Sequence, residues 1–256
     1  MKLYDIFTSD RPALIAYLSC GDPDLETTLK LARVLAAEGC DLIQLGIPFS
    51  DPVAEGPIIE AAQLRALEAG TADTDLVFDL VRRLREGEDG EPQVTVPVVI
   101  MTYANTVFAH GIERWARDAS AVGICGLILP DVPLEERQEF SVPLAAHGIE
   151  LIPLIALTAL DRVSRIAQQT ADLSFVQLIA PAAEVKGQLA AIRSAAPELA
   201  VAVSLETVSV AQALAAGADA IVAASTVVEL VSIHGRQATE PLGAHIRAVL
   251  AQISEA

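Results

Sequence analysis

Aromatic residues are scarce in this chain: Phe, Trp and Tyr make up 4 % of 256 residues, against 52 % hydrophobic residues in all. A core of that kind has to be built from Ala, Val, Leu and Ile, which suits buried parallel strands covered by Ala- and Leu-rich helices. Basic residues are scarce too. Lys and Arg number 17 against 34 Asp and Glu, a formal net charge of −17. Such a surface repels phosphodiester backbones, so nucleic acid is not an expected partner, and the acidity reads as solubility. The three cysteines, Cys20, Cys40 and Cys125, stand far apart in apolar runs. They form no CxxC and no Cys/His set of the zinc type, so no metal is expected and the thiols read as small buried hydrophobes. No apolar run reaches membrane-spanning length, and the N-terminal "MKLYDIFTSDRP" lacks the apolar centre of a signal peptide. The expectation is a cytoplasmic protein with no membrane contact.

What is present is an alternation of short apolar runs and longer amphipathic ones. The runs are "ALIAYLS" from Ala13, "DLIQLGI" from Asp41, "PVVIMTY" from Pro97, "GLILPD" from Gly126, "LIPLIAL" from Leu151, "SFVQLIA" from Ser174, "AVAVSL" from Ala200 and "DAIVAAS" from Asp219. They are continuously apolar, as strands covered on both faces are. Stretches such as "LETTLKLARVLAAEG", "TDLVFDLVRRLREG", "GIERWARDASAVG" and "LDRVSRIAQQTA" repeat apolar residues at three and four, and "PLGAHIRAVLAQI" ends the series as a helix. Eight strand–helix units predict an α/β fold, a single-domain (β/α)₈ TIM barrel over residues 1–256. An open doubly wound sheet is the alternative, but no GxGxxG follows the first strand, and no cofactor is expected. The polar "REGEDGEPQ", Arg85 to Gln93, reads as a loose insert at the bottom of the barrel.

In such a barrel the functional groups lie at strand C-termini and in the loops that follow. Strand one delivers Tyr17, Ser19 and Asp22, and strand two delivers Gln44 and a loop with Ser50, Asp51 and Glu55. Strand three gives Thr102, Tyr103 and Asn105, and strand four Asp131. Strand six supplies Gln177, strand seven Ser204 and Glu206, and strand eight Ser225. Asp22 before Pro23, Asp51 before Pro52 and Asp131 read equally well as turn or cap residues. Glu55 differs, because a carboxylate in a Gly/Pro loop at a pocket mouth can work as acid or base once it is partly desolvated.

Four stretches, "GDPDLETTLKLARVL", "LGIPFSDPVAEGPII", "MTYANTVFAHGIERW" and "GLILPDVPLEE", closely resemble the tryptophan synthase alpha chain family, and the likeness continues more weakly through "AAGADAIVAASTVVELV". The resemblance implies a (β/α)₈ lyase that splits indole-3-glycerol phosphate into indole and glyceraldehyde 3-phosphate. It also implies a catalytic Glu on strand two, where this chain has Gln44, and an indole-binding Asp in the next loop, where it has Glu55. A family Tyr on strand six corresponds to Gln177. The Gly-rich loops that the resemblance implies for the phosphate are replaced by "APAAEVK", "SLETVS" and "AST", with Glu206 in place of a glycine.

These replacements lead to the expectation of a repurposed barrel, with lyase-, isomerase- or cyclase-type chemistry on a small, mainly apolar, non-phosphorylated substrate in specialised metabolism. In that reading Glu55, Gln44 and Asp131 are catalytic. Tyr17, Ser19, Asp51, Tyr103, Asn105, Gln177, Glu206 and Ser225 bind substrate. One alternative is a non-catalytic or partner-dependent subunit docking a beta-type chain, since the resemblance places docking near "PFSDP" and "MTYAN"; a homo-oligomer is the other assembly considered. The second alternative is a genuine alpha chain.

Overall fold

The computed structural model describes residues 3–53, 55–87, 90–156, 160–206 and 208–255. Among them are nine strand segments: β1 (Ala13–Ser19), β2 (Leu42–Gly46), β3 (Val98–Met101), β4 (Ile124–Ile128), β5 (Glu150–Ile152), β6 (Leu154–Ile155), β7 (Phe175–Leu178), β8 (Ala200–Ser204) and β9 (Ala220–Ala223). All pairings are parallel, in the order β5-β4-β3-β2-β1-β9-β8-β7-β6. The two ends of that series, β5 and β6, flank Pro153. The fifth predicted strand is therefore broken in two, because proline has no N–H to give the ladder. Its first half bonds to β4 and its second half to β7, which closes the ring. Nine segments thus make the eight staves of a (β/α)₈ barrel. The last residue of that predicted run, Leu157, lies outside the described residues.

The alternation of a pleated strand divides the core in two. On β1, Ala13, Ile15 and Tyr17 join the cluster inside the barrel, while Leu14, Ala16 and Leu18 join the one between barrel and helices. Small residues such as Ala200, Ala202 and Ala220 serve the narrow interior. The turn Leu3–Phe7 closes the N-terminal end, with Leu3 and Ile6 buried and the Phe7 ring centroid 5.4 Å from that of Phe175. Gly126 faces this floor. A Cβ there would lie 2.7 Å from Ile152 Cδ1 and 3.0 Å from Val99 Cγ2, so no larger residue fits without displacing the layer.

The outer shell contains the helices read from the sequence, among them Leu25–Ala37, whose first turn is capped by Asp24 accepting from the Thr27 N–H at 2.7 Å. It also contains helices that were not read. The one that matters most is Pro57–Glu68, which begins directly after the loop of Glu55, with Pro57 at its first position. Asp22 closes a turn, its N–H reaching the Ser19 carbonyl at 3.3 Å, but its side chain has a separate task. It is buried at 4 % exposure and holds the Arg65 guanidinium through both oxygens, at 2.9 and 2.7 Å, tying the loop after β1 to that helix. The segment read as a loose insert begins as helix, since Thr74–Glu86 runs to its second residue, and the Val94 N–H returns to the Leu84 carbonyl at 2.8 Å.

Two stability measurements test this packing. Gly126→Ala overfills the floor and is expected to cost about 1–3 kcal/mol, lowering the urea midpoint with the slope unchanged; an unaltered midpoint refutes the close approach. Asp22→Asn removes a charge-assisted fork and is expected to cost about 1.5–3 kcal/mol, read from the same titration, and a neutral result would show that Arg65 is satisfied without it.

Candidate functional site

Above the apolar layers, at the C-terminal ends of the strands, the barrel opens into a cavity of about 350 Å³. Its floor comes from residues of inward parity: Tyr17 on β1, Gln44 on β2, Met101 on β3, Gln177 on β7 and Ser204 on β8. Cross-strand register places Tyr17 beside Gln44 and Gln177 beside Ala202. Two carboxylates, Glu55 and Glu206, complete the wall from the loops.

The strand residues supply hydrogen-bonding groups of low charge. Tyr17 lies across the end of β2, its phenol oxygen so close to Gly46 that a Cβ there would sit 2.0 Å from it. Burial pushes the Tyr17 phenol well above its ordinary pKa, so it stays protonated, and the Ser19 hydroxyl lies 3.4 Å from it. The Gln44 side chain, 2 % exposed, donates from Nε2 to Met101 Sδ at 3.0 Å. Gln177 donates from Nε2 to Ser204 Oγ at 3.2 Å. The Gln177 Oε1 is buried with no hydrogen-bond partner, which makes it an acceptor for a donor brought by a ligand.

Glu55 is the best-supported acid of the cavity. The Tyr103 hydroxyl donates a short hydrogen bond to its Oε2, and the Gln63 amide donates to its Oε1 at 3.2 Å. Tyr103 is itself held, accepting from the Val53 N–H at 2.9 Å and stacking on Phe49 with centroids 4.7 Å apart. Opposite, Glu206 Oε2 accepts a short hydrogen bond from Ser225 Oγ, at the first position of the helix Ser225–His234. A carboxylate is drawn to that end by the positive pole of the helix dipole.

The remaining sequence-derived residues are not brought to the cavity wall. Asp131 is exposed and accepts the Ala104 N–H on both oxygens, at 3.1 and 3.0 Å, closing the N-terminus of the helix Ala104–His110. Asp51 is exposed and accepts from Ser50 Oγ at 2.5 Å. Asn105 lines a separate groove of about 510 Å³ with Pro48, Phe49 and Ser50. Conversely, Gln63 escaped sequence reading. It is 2 % exposed, and its Oε1 accepts the Phe49 N–H at 2.9 Å while its amide holds Glu55. Its signal was available: Ile59, Ala62, Gln63 and Ala66 follow helical spacing, so the one amide in the stripe faces inward.

All three cysteines are free thiols, and burial pushes Cys20 up to about 12 and Cys125 up to about 11. Among the described residues no group of three or more His, Cys, Asp or Glu could hold a metal ion, and no helix is long and apolar enough to cross a membrane.

Comparison with known proteins bears on what this cavity does. The family model described as tryptophan synthase alpha chain matches residues 4–249. A tryptophan synthase alpha chain from Alkaliphilus metalliredigens is 45 % identical over 167 residues, 65 % of this chain and 60 % of that one. That of Lacticaseibacillus casei is 36 % identical over 247 residues, 93 % of this chain and 90 % of its own. Among solved structures, a chain of the tryptophan synthase a2b2 complex from Pyrococcus furiosus superposes with a TM-score of 0.82 at 29 % identity, covering 94 % of this chain and 99 % of that one. These likenesses overturn the expectation of a repurposed barrel acting on a non-phosphorylated substrate. Similarity spread along nearly the whole chain outweighs the single-residue departures expected from the sequence. The chain belongs to the tryptophan synthase alpha chain family.

Proposed function

We propose that the chain is a working alpha chain: a lyase that releases indole from indole-3-glycerol phosphate and passes it to a beta-type partner. The observation that carries this reading is the family match across residues 4–249. The reaction is a retro-aldol cleavage. A proton is added at indole C3, the hydroxyl next to the scissile bond loses its proton, and the C–C bond breaks to an aldehyde and indole. One proton is gained and one lost, so acid/base work and positioning are the whole requirement.

Gln44 cannot exchange a proton near neutral pH, so the reading assigns proton transfer to Glu55, with Tyr103 and Gln63 fixing its two oxygens. Gln44 and Gln177 then serve as positioning amides, the free Oε1 of Gln177 accepting from a substrate hydroxyl. Tyr17 supplies a neutral donor. The phosphate is drawn to the N-terminus of the helix Ser225–His234 beside Ala224 on the cavity wall. Glu206 stands at that end, bonded to Ser225, and opposes the anion. The beta-type partner is supported by the superposition on the a2b2 complex, and the groove of Phe49, Ser50 and Asn105, formed by the "PFSDP" and "MTYAN" segments, is its docking face in this reading.

The deciding experiment is indole release from indole-3-glycerol phosphate by the purified chain, alone and with a beta-type subunit; no release in either condition refutes the proposal. Glu55→Gln is expected to lower kcat by roughly 10²–10⁴-fold, and retention of full activity removes Glu55 from the mechanism. Glu206→Gln removes a charge facing the phosphate and is expected to lower KM about tenfold with kcat little changed, whereas an unchanged or higher KM shows that the phosphate sits elsewhere.

A further inference from the structure

A second hollow lies at the other end of the barrel. A groove of about 790 Å³ runs between the turn Leu3–Phe7 and the helix Gln138–Ala146, bounded by Cys125 at the start of β4, Glu150 at the start of β5 and Ser174 just before β7. These are strand N-termini, so the groove is separated from the cavity of Glu55 by the packed interior of the barrel. Its volume lies within the range of small-molecule sites, and its walls are mainly apolar, with Leu3, Val142, Leu151 and Leu173 among them. Val142 is an exposed valine at 60 %.

One polar group in it is unusual for this protein. With twice as many acids as bases, most arginines here have a carboxylate partner, as Arg11 has Asp41, Arg65 has Asp22 and Arg193 has Asp219. Arg33, outside this groove, has none among the described residues, its Nε and Nη2 buried without a hydrogen bond. Arg85 also lacks one but is held by three backbone carbonyls, of Val94, Val96 and Gly123. Arg137 has neither. It is partly buried, forms no ion pair among the described residues, and makes one hydrogen bond, a short one from Nη2 to the Leu151 carbonyl. Its Nε and Nη1 remain for another acceptor. Burial lowers its pKa to about 10, which still leaves it charged at neutral pH. The acids nearby leave it without a contact partner: Glu150 is engaged by the Ser174 N–H and hydroxyl at 2.7 and 2.6 Å, and Asp172 is exposed, its charge offsetting part of the effect of burial on Arg137 without forming an ion pair with it among the described residues.

We propose that this groove is a second small-molecule site, for a monocarboxylate with an apolar body, whose carboxylate pairs with the Arg137 guanidinium. A carboxylate matches the fork geometry of the free N–H groups, and the Leu and Val walls take the body. The inference does not depend on the activity proposed above, because no residue is shared between the two sites.

The test is calorimetric titration of the full chain with octanoate and, as its uncharged counterpart, 1-octanol. Octanoate is expected to bind and 1-octanol to bind at least tenfold more weakly. Arg137→Gln is expected to weaken octanoate about 10- to 100-fold and leave 1-octanol unchanged. Ala145→Trp, at an exposed helix position lining the groove, is expected to abolish binding of both while thermal unfolding and indole release stay as in the parent. Absence of octanoate binding, or binding that survives either substitution, overturns the proposal. If Arg137→Gln does not fold, Ala145→Trp decides the matter alone.

Discussion

The structure depends on a steric constraint: a closed ring of eight staves leaves an interior only wide enough for side chains, and only every second residue of each strand points into it. That constraint explains why the interior strands carry Ala at so many inward positions. It also explains why a glycine is needed at Gly126, where Ile152, Val99 and Leu3 already meet. The same parity sets the floor of the site. Tyr17, Gln44, Gln177 and Ser204 are the next inward residues after the apolar layers, so the position at which chemistry begins is fixed by counting in twos from the core.

The charge arrangement of the cavity follows from its two kinds of supplier. Strands deliver neutral groups, amides and hydroxyls that are buried and fixed by a neighbour. Loops deliver the charges, Glu55 and Glu206, each steadied by a hydroxyl donor, Tyr103 and Ser225. The division leaves the ionisable groups at the mouth, where solvent can take up and return protons, and leaves the interior free of unpaired charge.

How much of this could be read beforehand differs by level. The barrel was legible because eight apolar runs of strand length, separated by helix-period stretches, admit few other folds. That Tyr17, Gln44 and Gln177 line the cavity was legible because parity and strand ends are local properties. Asp51, Asn105 and Asp131 were not, since where a loop side chain finally points depends on which helix end or groove the tertiary structure brings to it. Gln63 was overlooked because "PVAEGP" reads as loop and hides the start of the helix after it. The substrate class is legible at a different level. Single positions such as Gln44 and Glu206 are local signals that suggest a changed reaction, whereas the likeness that decides the family runs the length of the chain.

Pro153 has a consequence for how the ring holds together. Each of the other staves pairs with its neighbours as one continuous strand, but the stave interrupted at Pro153 gives its first half to β4 and its second half to β7. The Gln177 N–H reaches the Pro153 carbonyl at 3.0 Å, and below it the Ser174 N–H and hydroxyl bond the Glu150 carboxylate. The seam between the fifth stave and β7 is therefore stitched in part by a side chain, so one carboxylate does there what backbone pairing does along the other staves.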